Sequence, residues 1–341
     1  MERLMLFLSG EHPTLPTSEA IAAIKAEHRA YKVIEQLDQV LIADSRAEPG
    51  VLAARLGMCR EICWHLCTSN VDEVLDAVSS SDIVDLVRHG QTFAVRIKRV
   101  KRHSPDVNVV KLSGEIADLL TSEVDFRVDL VKPDVEILGV LTDSRCVIGV
   151  TAAKVDRTQF NIRRPTMRAA FHPGTLMPLL ARCMVNLART PRKGTLLDPF
   201  CGVGGILVEA GLIGARPIGV DIDREMIEGA RRNLETSGIA DYQLMVGDAR
   251  HLPMLQVDAI ATDPPFGRAV TTGGVPVDEL YRQALPSVAG VLKRKGYICI
   301  ASPAGIELEK IAEVSGLRLI ERHEQRVHKS LTRIIYVFRR K

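Results

Sequence analysis

The 341-residue chain reads as an α/β protein. Its C-terminal half is a doubly wound, mostly parallel sheet of seven strands, preceded by two smaller α+β modules. Three observations predict this. From 191 to 341, short apolar runs alternate with helical spacing, the pattern of strands made parallel by returning helices. The last two runs, Leu317–Glu324 and Thr332–Phe338, follow one another without a helix, so a hairpin adds an antiparallel strand. The first 69 residues follow the order β, α, β, β, α, β.

Each element has its own signal. Leu4–Leu8 is an apolar strand. Ser18–Arg29 carries Ala20, Ile21 and Ile24 at helical spacing. Tyr31–Leu37 and Val40–Ala43 read as strands around a tight turn at Asp38-Gln39. Pro49–Met58 opens on a proline, which suits the first turn of a helix. In Glu61–Thr68, Ile62, Trp64 and Leu66 alternate, as in a strand. This order makes residues 1–69 a ferredoxin-like domain.

Residues 70–155 form a second domain. Asn70 is placed to cap a helix through Ala77, and Ser81 or Asp82 a helix through Val87. Thr92–Val100 is a strand with Phe93, Val95 and Ile97 on one face. Lys111–Leu120 is a helix, and Val135–Thr142 and Val147–Ala153 are strands joined around Asp143-Ser144. Residues 156–190 are a linker rich in Arg, Pro and His that ends in helical spacing over Pro178–Arg189. In the last domain, 191–341, the first five strands fall near Thr195–Leu197, Pro217–Val220, Tyr242–Val246, Ala259–Thr262 and Tyr297–Ala301.

Composition narrows the class. Apolar residues make up 46% and charged residues 26%, too apolar for a disordered chain. The net charge is only +3, so a nucleic-acid surface has to come from local clusters. One Trp and five Tyr argue against stacking on many bases. No apolar run approaches the ~18 residues of a membrane span, and Leu4–Leu8 falls short of the roughly 7–15 of a signal peptide. A cytoplasmic protein with free thiols is expected. Cys59, Cys63 and Cys67 lack the paired spacing of zinc ribbons. Their four-residue spacing puts all three on one side of a strand or helix, as small core residues, and no metal site is expected.

A cofactor site is written at Asp198-Pro199-Phe200-Cys201-Gly202-Val203-Gly204-Gly205, where a strand enters a glycine-rich turn and then a helix. Glycine lets backbone approach a ligand closely. Asp221 ends the next strand, placed for the two ribose hydroxyls of a nucleoside, with Ile222 beside it. Asp248, followed by Ala249, ends the third strand, in reach of an adenine amine. The turn is shared by dinucleotide enzymes and methyltransferases. Three details favour the latter: a G-x-G-G turn, Asp198 just before it, and Asp248. Three carboxylates with no loop lysine suit cationic S-adenosylmethionine. Cys201 reads as structural.

Asp263-Pro264-Pro265-Phe266 ends the fourth strand. An amine on a nucleobase is a poor nucleophile, because its lone pair is delocalised into the ring. A carboxylate and a backbone carbonyl can accept its two protons and aim the lone pair at a methyl group. Prolines supply carbonyls without competing N–H donors, and Phe266 can stack on a base extruded from its helix.

Basic residues cluster three times: Arg96, Lys98, Arg99, Lys101 and Arg102; Arg163, Arg164 and Arg168, with His172 nearby; and the tail, Arg322, Arg326, Lys329, Arg333, Arg339, Arg340 and Lys341. Together they suggest a long phosphate-backbone footprint.

The two helices and basic strand Thr92–Arg99 resemble the THUMP module of RNA-modifying enzymes. D-P-P-[FY] after a glycine-rich turn resembles amino-methyltransferases. Arg168 through Phe171-His172-Pro173-Gly174 to Ala188, and Asp263–Phe266 continued by Gly267-Arg268, are similar to segments of the archaeal tRNA guanine-N2 methyltransferases that act at the tenth nucleotide. Ala269 departs from the serine expected there. The resemblance covers nearly the whole chain. It implies a ferredoxin-like domain, a THUMP domain that holds the tRNA acceptor end, a linker, and a Rossmann-like class I methyltransferase domain. The implied products are N2-methylguanosine and N2,N2-dimethylguanosine. The implied partners are tRNA and either a small zinc-binding activator subunit, as in eukaryotic relatives, or none. Three other readings stay open: a sister enzyme acting on another tRNA guanine, a DNA adenine-N6 methyltransferase, and an RNA-binding protein with a decayed catalytic domain.

Overall fold

The computed structural model describes residues 2–83, 90–123, 127–253, 256–266, 276–328 and 331–341. They form two compact units. One takes the chain up to Glu11, His28–Ala54 and Cys59–Asp156. The other takes His12–Glu27, Arg55–Met58 and Arg157–Lys341. Among the described residues, no helix is long and apolar enough to cross a membrane.

The first unit is built on β1 (Glu2–Leu8), β2 (Lys32–Leu37), β3 (Val40–Ser45), β4 (Cys59–Asn70), β5 (Thr92–Arg99), β6 (Arg127–Val128), β7 (Val135–Thr142) and β8 (Arg145–Lys154). Along this stretch of chain run helices α1 (Leu15–Glu27), α2 (Pro49–Arg55), α3 (Val74–Ser79) and α4 (Val109–Glu123). The strands make one sheet in the order β2-β3-β1-β4-β8-β7-β5-β6. The first four have the ferredoxin-like arrangement, each antiparallel to its neighbour. β4 pairs with β1 along one edge and with β8 along the other. The residues expected as separate domains on either side of position 69 therefore share a sheet. Asp143 and Ser144 both take positive φ (45° and 63°), the twist of a two-residue hairpin turn.

Alternation along the strands gives this sheet two apolar faces. Met5, Phe7, Ile42, Cys63 and Leu138 lie in one cluster. Phe93, Val95, Ile137, Cys146 and Ile148 lie in the other, with Val74, Val78, Ile116 and Leu120 from α3 and α4. Cys67 packs with this second cluster. The expectation that Cys59, Cys63 and Cys67 share one side fails because β-bulges between Cys59 and Glu61 and between His65 and Cys67 invert the alternation on either side of Cys63. Asn70 makes no side-chain cap bond. It precedes a short 3-10 turn, Val71–Glu73, rather than a continuous helix. The helix expected through Val87 lies largely outside the described residues.

The second unit contains α1 together with α5 (Thr158–Ile162), α6 (Pro178–Leu187), β9 (Thr195–Asp198), α7 (Gly205–Leu212), β10 (Arg216–Asp221), α8 (Arg224–Thr236), β11 (Gln243–Val246), β12 (Val257–Thr262), α9 (Val277–Val291), β13 (Leu292–Pro303), α10 (Leu308–Val314), β14 (Leu317–His328) and β15 (Leu331–Arg340). Its strand order is β11-β10-β9-β12-β13-β15-β14. The first five strands are parallel, and β15 runs antiparallel between β13 and β14. Leu180, Met184, Leu207 and Ile227 cover one face, and Tyr281, Leu285, Val288 and Ile311 the other.

The helix expected inside the first domain belongs here. Glu19 of α1 is fully buried and accepts hydrogen bonds from Gly57 N (3.0 Å), Met58 N (2.7 Å) and Asn186 Nδ2 of α6 (2.8 Å). Buried Arg55 donates to Asn186 Oδ1 and the Thr190 carbonyl. Buried polar groups need partners, and these partners come from the Gly57-Met58 segment and from α6 and its flank.

Candidate active site

Parallel strands point their C-terminal ends the same way, so strand-end residues from neighbouring strands converge. Asp198 ends β9 and Asp221 ends β10. Asp248 follows β11 and Asp263 follows β12. These four strands are consecutive in the sheet.

Asp198 is 2% exposed. Its Oδ1 accepts from Thr262 Oγ1 (2.7 Å) and from Phe200 N (3.2 Å). Burial pushes its carboxyl up to about 7, helped by the negative charges of Asp221 and Asp263. Asp221 uses Oδ2 for Gly202 N (2.8 Å) and Oδ1 for Asp223 N (3.0 Å). Each oxygen keeps a second lone pair for a hydroxyl donor. Burial raises its carboxyl, and His172 pulls weakly in the other direction. Ile222 is 66% exposed beside it.

The turn between β9 and α7 needs its glycines. Gly202 and Gly204 have φ of 50° and 79°. A Cβ on Gly204 would lie 3.1 Å from Ala230 Cβ, and one on Gly205 would lie 2.9 Å from Arg168 Nη1. Cys201 is buried, and burial raises its thiol well above the ordinary value, so it is no nucleophile. Asp248 accepts from Arg250 N (2.9 Å) and forms an ion pair with the Arg250 guanidinium (2.6 Å), which holds its carboxyl low. Ala249 is buried beside it.

Asp263 is held differently. Its Oδ2 lies 3.3 Å from Arg333 Nη2 on β15, while Oδ1 is buried without a hydrogen-bond partner. Burial pushes this carboxyl up to about 6, against the pull of Arg333. Pro264 is buried and shares a small apolar cavity with Phe200, Thr262, Tyr281 and Ile300. Pro265 and Phe266 are half-buried. The Arg333 guanidinium lies 5.4 Å from the Phe266 ring centre. Gly267, Arg268 and Ala269 lie outside the described residues.

The basic residues are dispersed, and most have partners. In the first unit, Arg96 pairs with Glu136 (3.2 Å), Lys98 with Glu61, and Lys101 with Asp38 (2.7 Å). Arg99 donates to the Val107 carbonyl, and Arg102 is exposed. In the second unit, Arg163 and Arg182 flank fully buried Glu209 (3.0 and 2.8 Å). Arg163 is thus a structural cation rather than part of an outer cluster, because leaving Glu209 charged and unpaired is costly. Arg168 donates Nε to the Arg163 carbonyl (3.0 Å) and lies against the glycine turn, not on an outer face. Arg164 is exposed and bonds Asn161 (2.9 Å). The sequence reading missed the roles of Arg333 and Thr262. Arg333 was one more cation in a basic tail, and only the register Pro303↔Arg333 brings it to the end of the sheet.

The residues present fit a cationic nucleoside. Three strand-end carboxylates, two of them raised by burial, meet a turn in which a Cβ would crowd Ala230 at Gly204 and the Arg168 guanidinium at Gly205. A family profile described as an RMKL-like methyltransferase domain matches residues 165–335, and a THUMP domain profile matches residues 68–151. The crystal structure of TrmN from Thermus thermophilus superposes with a TM-score of 0.53 at 20% identity, over 99% of this chain and 100% of that one. Fold and site thus define a THUMP-bearing class I methyltransferase. The chain is 38% identical, over 99% of both chains, to the tRNA (guanine(10)-N2)-dimethyltransferase of Methanothermobacter thermautotrophicus, and 37% identical to that of Pyrococcus abyssi over 89% of this chain and 90% of the relative. It belongs to the tRNA (guanine(10)-N2)-dimethyltransferase family.

Proposed function

We propose that this chain methylates the exocyclic N2 amine of guanine 10 in tRNA, using S-adenosylmethionine, to give N2-methyl- and N2,N2-dimethylguanosine. The observation that carries the reading is the free acceptor Asp263 Oδ1, buried beside Phe266 at a strand end next to the carboxylate cradle. The relatives named for this reaction support it along nearly the whole chain.

S-adenosylmethionine supplies a methyl group activated by a sulfonium. Asp198 and Asp221 offer it negative charge and hydroxyl acceptors, and Ile222 an apolar surface. Asp263 Oδ1 accepts one amine N–H, and the Pro264 carbonyl is the candidate acceptor for the other. Phe266 offers a stacking face for the extruded base. With both protons held, the amine lone pair is aimed for in-line displacement, so alignment supplies much of the rate. The amine proton released on transfer passes to Asp263 or to water.

Exposed Lys101 and Arg102 in the THUMP-bearing unit are proposed to meet tRNA phosphates. A cytoplasmic location follows from this reading. Turnover by the purified chain alone would exclude a requirement for a small zinc-binding activator subunit.

The test uses labelled S-adenosylmethionine with tRNA transcripts carrying guanosine or adenosine at position 10, and with duplex DNA. Label in N2-methylated guanosine, lost with the adenosine transcript, is expected. Label that persists in the adenosine transcript moves the target to another guanine. Label in DNA adenine overturns the substrate class.

A further inference from the structure

We propose that Arg333 is a positioning residue of the methyl-transfer site: by holding Asp263 Oδ2 and standing within cation–π range of the Phe266 ring, it leaves Oδ1 turned to the amine and fixes the stacking face. The inference rests on the amine-methylation reading above and adds a residue from outside its motif.

The geometry is specific. Arg333 Nη2 sits 3.3 Å from Oδ2, and its side chain is 11% exposed. Nη1 lies 3.4 Å from Gln325 Oε1 on the adjoining strand β14, so the guanidinium is tied from a second side. Its Cζ lies 5.4 Å from the Phe266 ring centre, within cation–π range. One guanidinium thus touches both functional side chains of Asp263–Phe266. Arginine suits this because its planar fork makes directional bonds and packs flat on rings.

The electrostatics need a cation here. Ionisable groups in electrostatic reach of Asp263 include Asp198 at the end of β9, Tyr281 on α9 and Cys299 on β13, besides Arg333. Asp198 and an ionised Tyr281 or Cys299 would all disfavour the Asp263 carboxylate. Burial is what pushes the Asp263 carboxyl up, to about 6, and Arg333 holds it from going higher. Only the carboxylate accepts an amine proton, so activity is present above this value and is lost as pH falls through it.

The test compares wild type, Arg333→Met and Arg333→Lys in single-turnover methyl transfer to tRNA from pH 5 to 9. Cofactor affinity is measured alongside by calorimetry. Arg333→Met should slow transfer roughly 10-fold at pH 7 and move the acidic limb up by about one pH unit. Arg333→Lys should keep the limb near its wild-type position while transfer stays slowed, since lysine keeps the charge but not the guanidinium fork that reaches Asp263, Gln325 and the Phe266 ring together. Cofactor affinity should hold within about twofold. A separate readout needs no RNA: carboxyl-labelled aspartate, followed by NMR with Asp263→Asn as the assignment control, reports the Asp263 titration directly. An upward move in Arg333→Met supports the inference even if tRNA proves the wrong substrate. An unmoved titration together with an unchanged rate in Arg333→Met overturns it, and leaves the methyltransferase reading intact. Should Arg333→Met fail to fold, a wild-type rate and limb in Arg333→Lys would equally show that the guanidinium fork is irrelevant and overturn the proposed clamp.

Discussion

Asp198 is closed off from water, yet the ligand it is proposed to face carries positive charge. Its carboxyl stands near 7 in the folded chain against 3.8 ordinarily. A raised carboxyl contributes stability that is present below about pH 4 and lost as pH rises through about 7. Asp198→Asn keeps an acceptor for Thr262 and removes the titration. It should therefore be more stable than wild type at pH 8, by on the order of 2–4 kcal/mol, and converge with it near pH 4. Thermal unfolding at both pH values checks this. A cationic ligand prefers the carboxylate, so wild-type cofactor affinity should fall below pH 7, with proton release detectable as a buffer-dependent heat. Asp198→Asn should bind weakly with no such dependence. At the neighbouring strand end, Asp263→Ala should keep cofactor affinity and lose ~100-fold or more in single-turnover rate, whereas Phe266→Tyr should be tolerated because the ring face survives. A near-normal rate for Asp263→Ala would sink the mechanism.

The turn between β9 and α7 sets what an element can tolerate. Gly204 combines a φ of 79° with Ala230 only 3.1 Å from where a Cβ would sit. Gly204→Ala should cost about 1–3 kcal/mol of stability and weaken cofactor binding at least 10-fold, measurable by denaturant melts and calorimetry. Elements of this kind were legible in the sequence because their signals are local. Strand ends, the glycine turn, the Asp143-Ser144 hairpin and the motif at Asp263 all fall where apolar runs stop. What was not legible depends on pairing across distance. Arg163 looked like a surface cation because its partner Glu209 lies 46 residues away. Arg333 meets Asp263 across 70 residues, through strand order alone. Cys67 left the side of Cys63 through a single bulged residue, which alternation cannot announce. The basic strand was read correctly as a strand with Phe93, Val95 and Ile97 together, but the carboxylates that pair with its cations come from β4 and β7.

At the scale of the whole molecule, the cations of the first unit are unequal as probes of RNA binding. Removing Arg96 and Lys98 would leave Glu136 with Lys154 alone and strand the buried Glu61, so lost affinity would be mixed with lost stability. Lys101 and Arg102 are exposed. Changing both to glutamine should weaken tRNA binding and lower the salt slope by about 1–2, with cofactor affinity unchanged because the strand-end site lies in the other unit. An unaltered slope would remove these residues from the footprint. The division of the chain also has a temporal consequence. The helix carrying Glu19 is made early, and its partner Asn186 comes 167 residues after Glu19. At roughly 5–20 residues per second, a ribosome takes on the order of 10–30 s to cover that interval. Through it the nascent helix waits with only the Gly57 and Met58 N–H groups available to its Glu19 carboxylate, while the strands before and after it are free to pair. The eight-stranded sheet can close first around a looped-out segment, and the catalytic half is completed only when that segment is reclaimed.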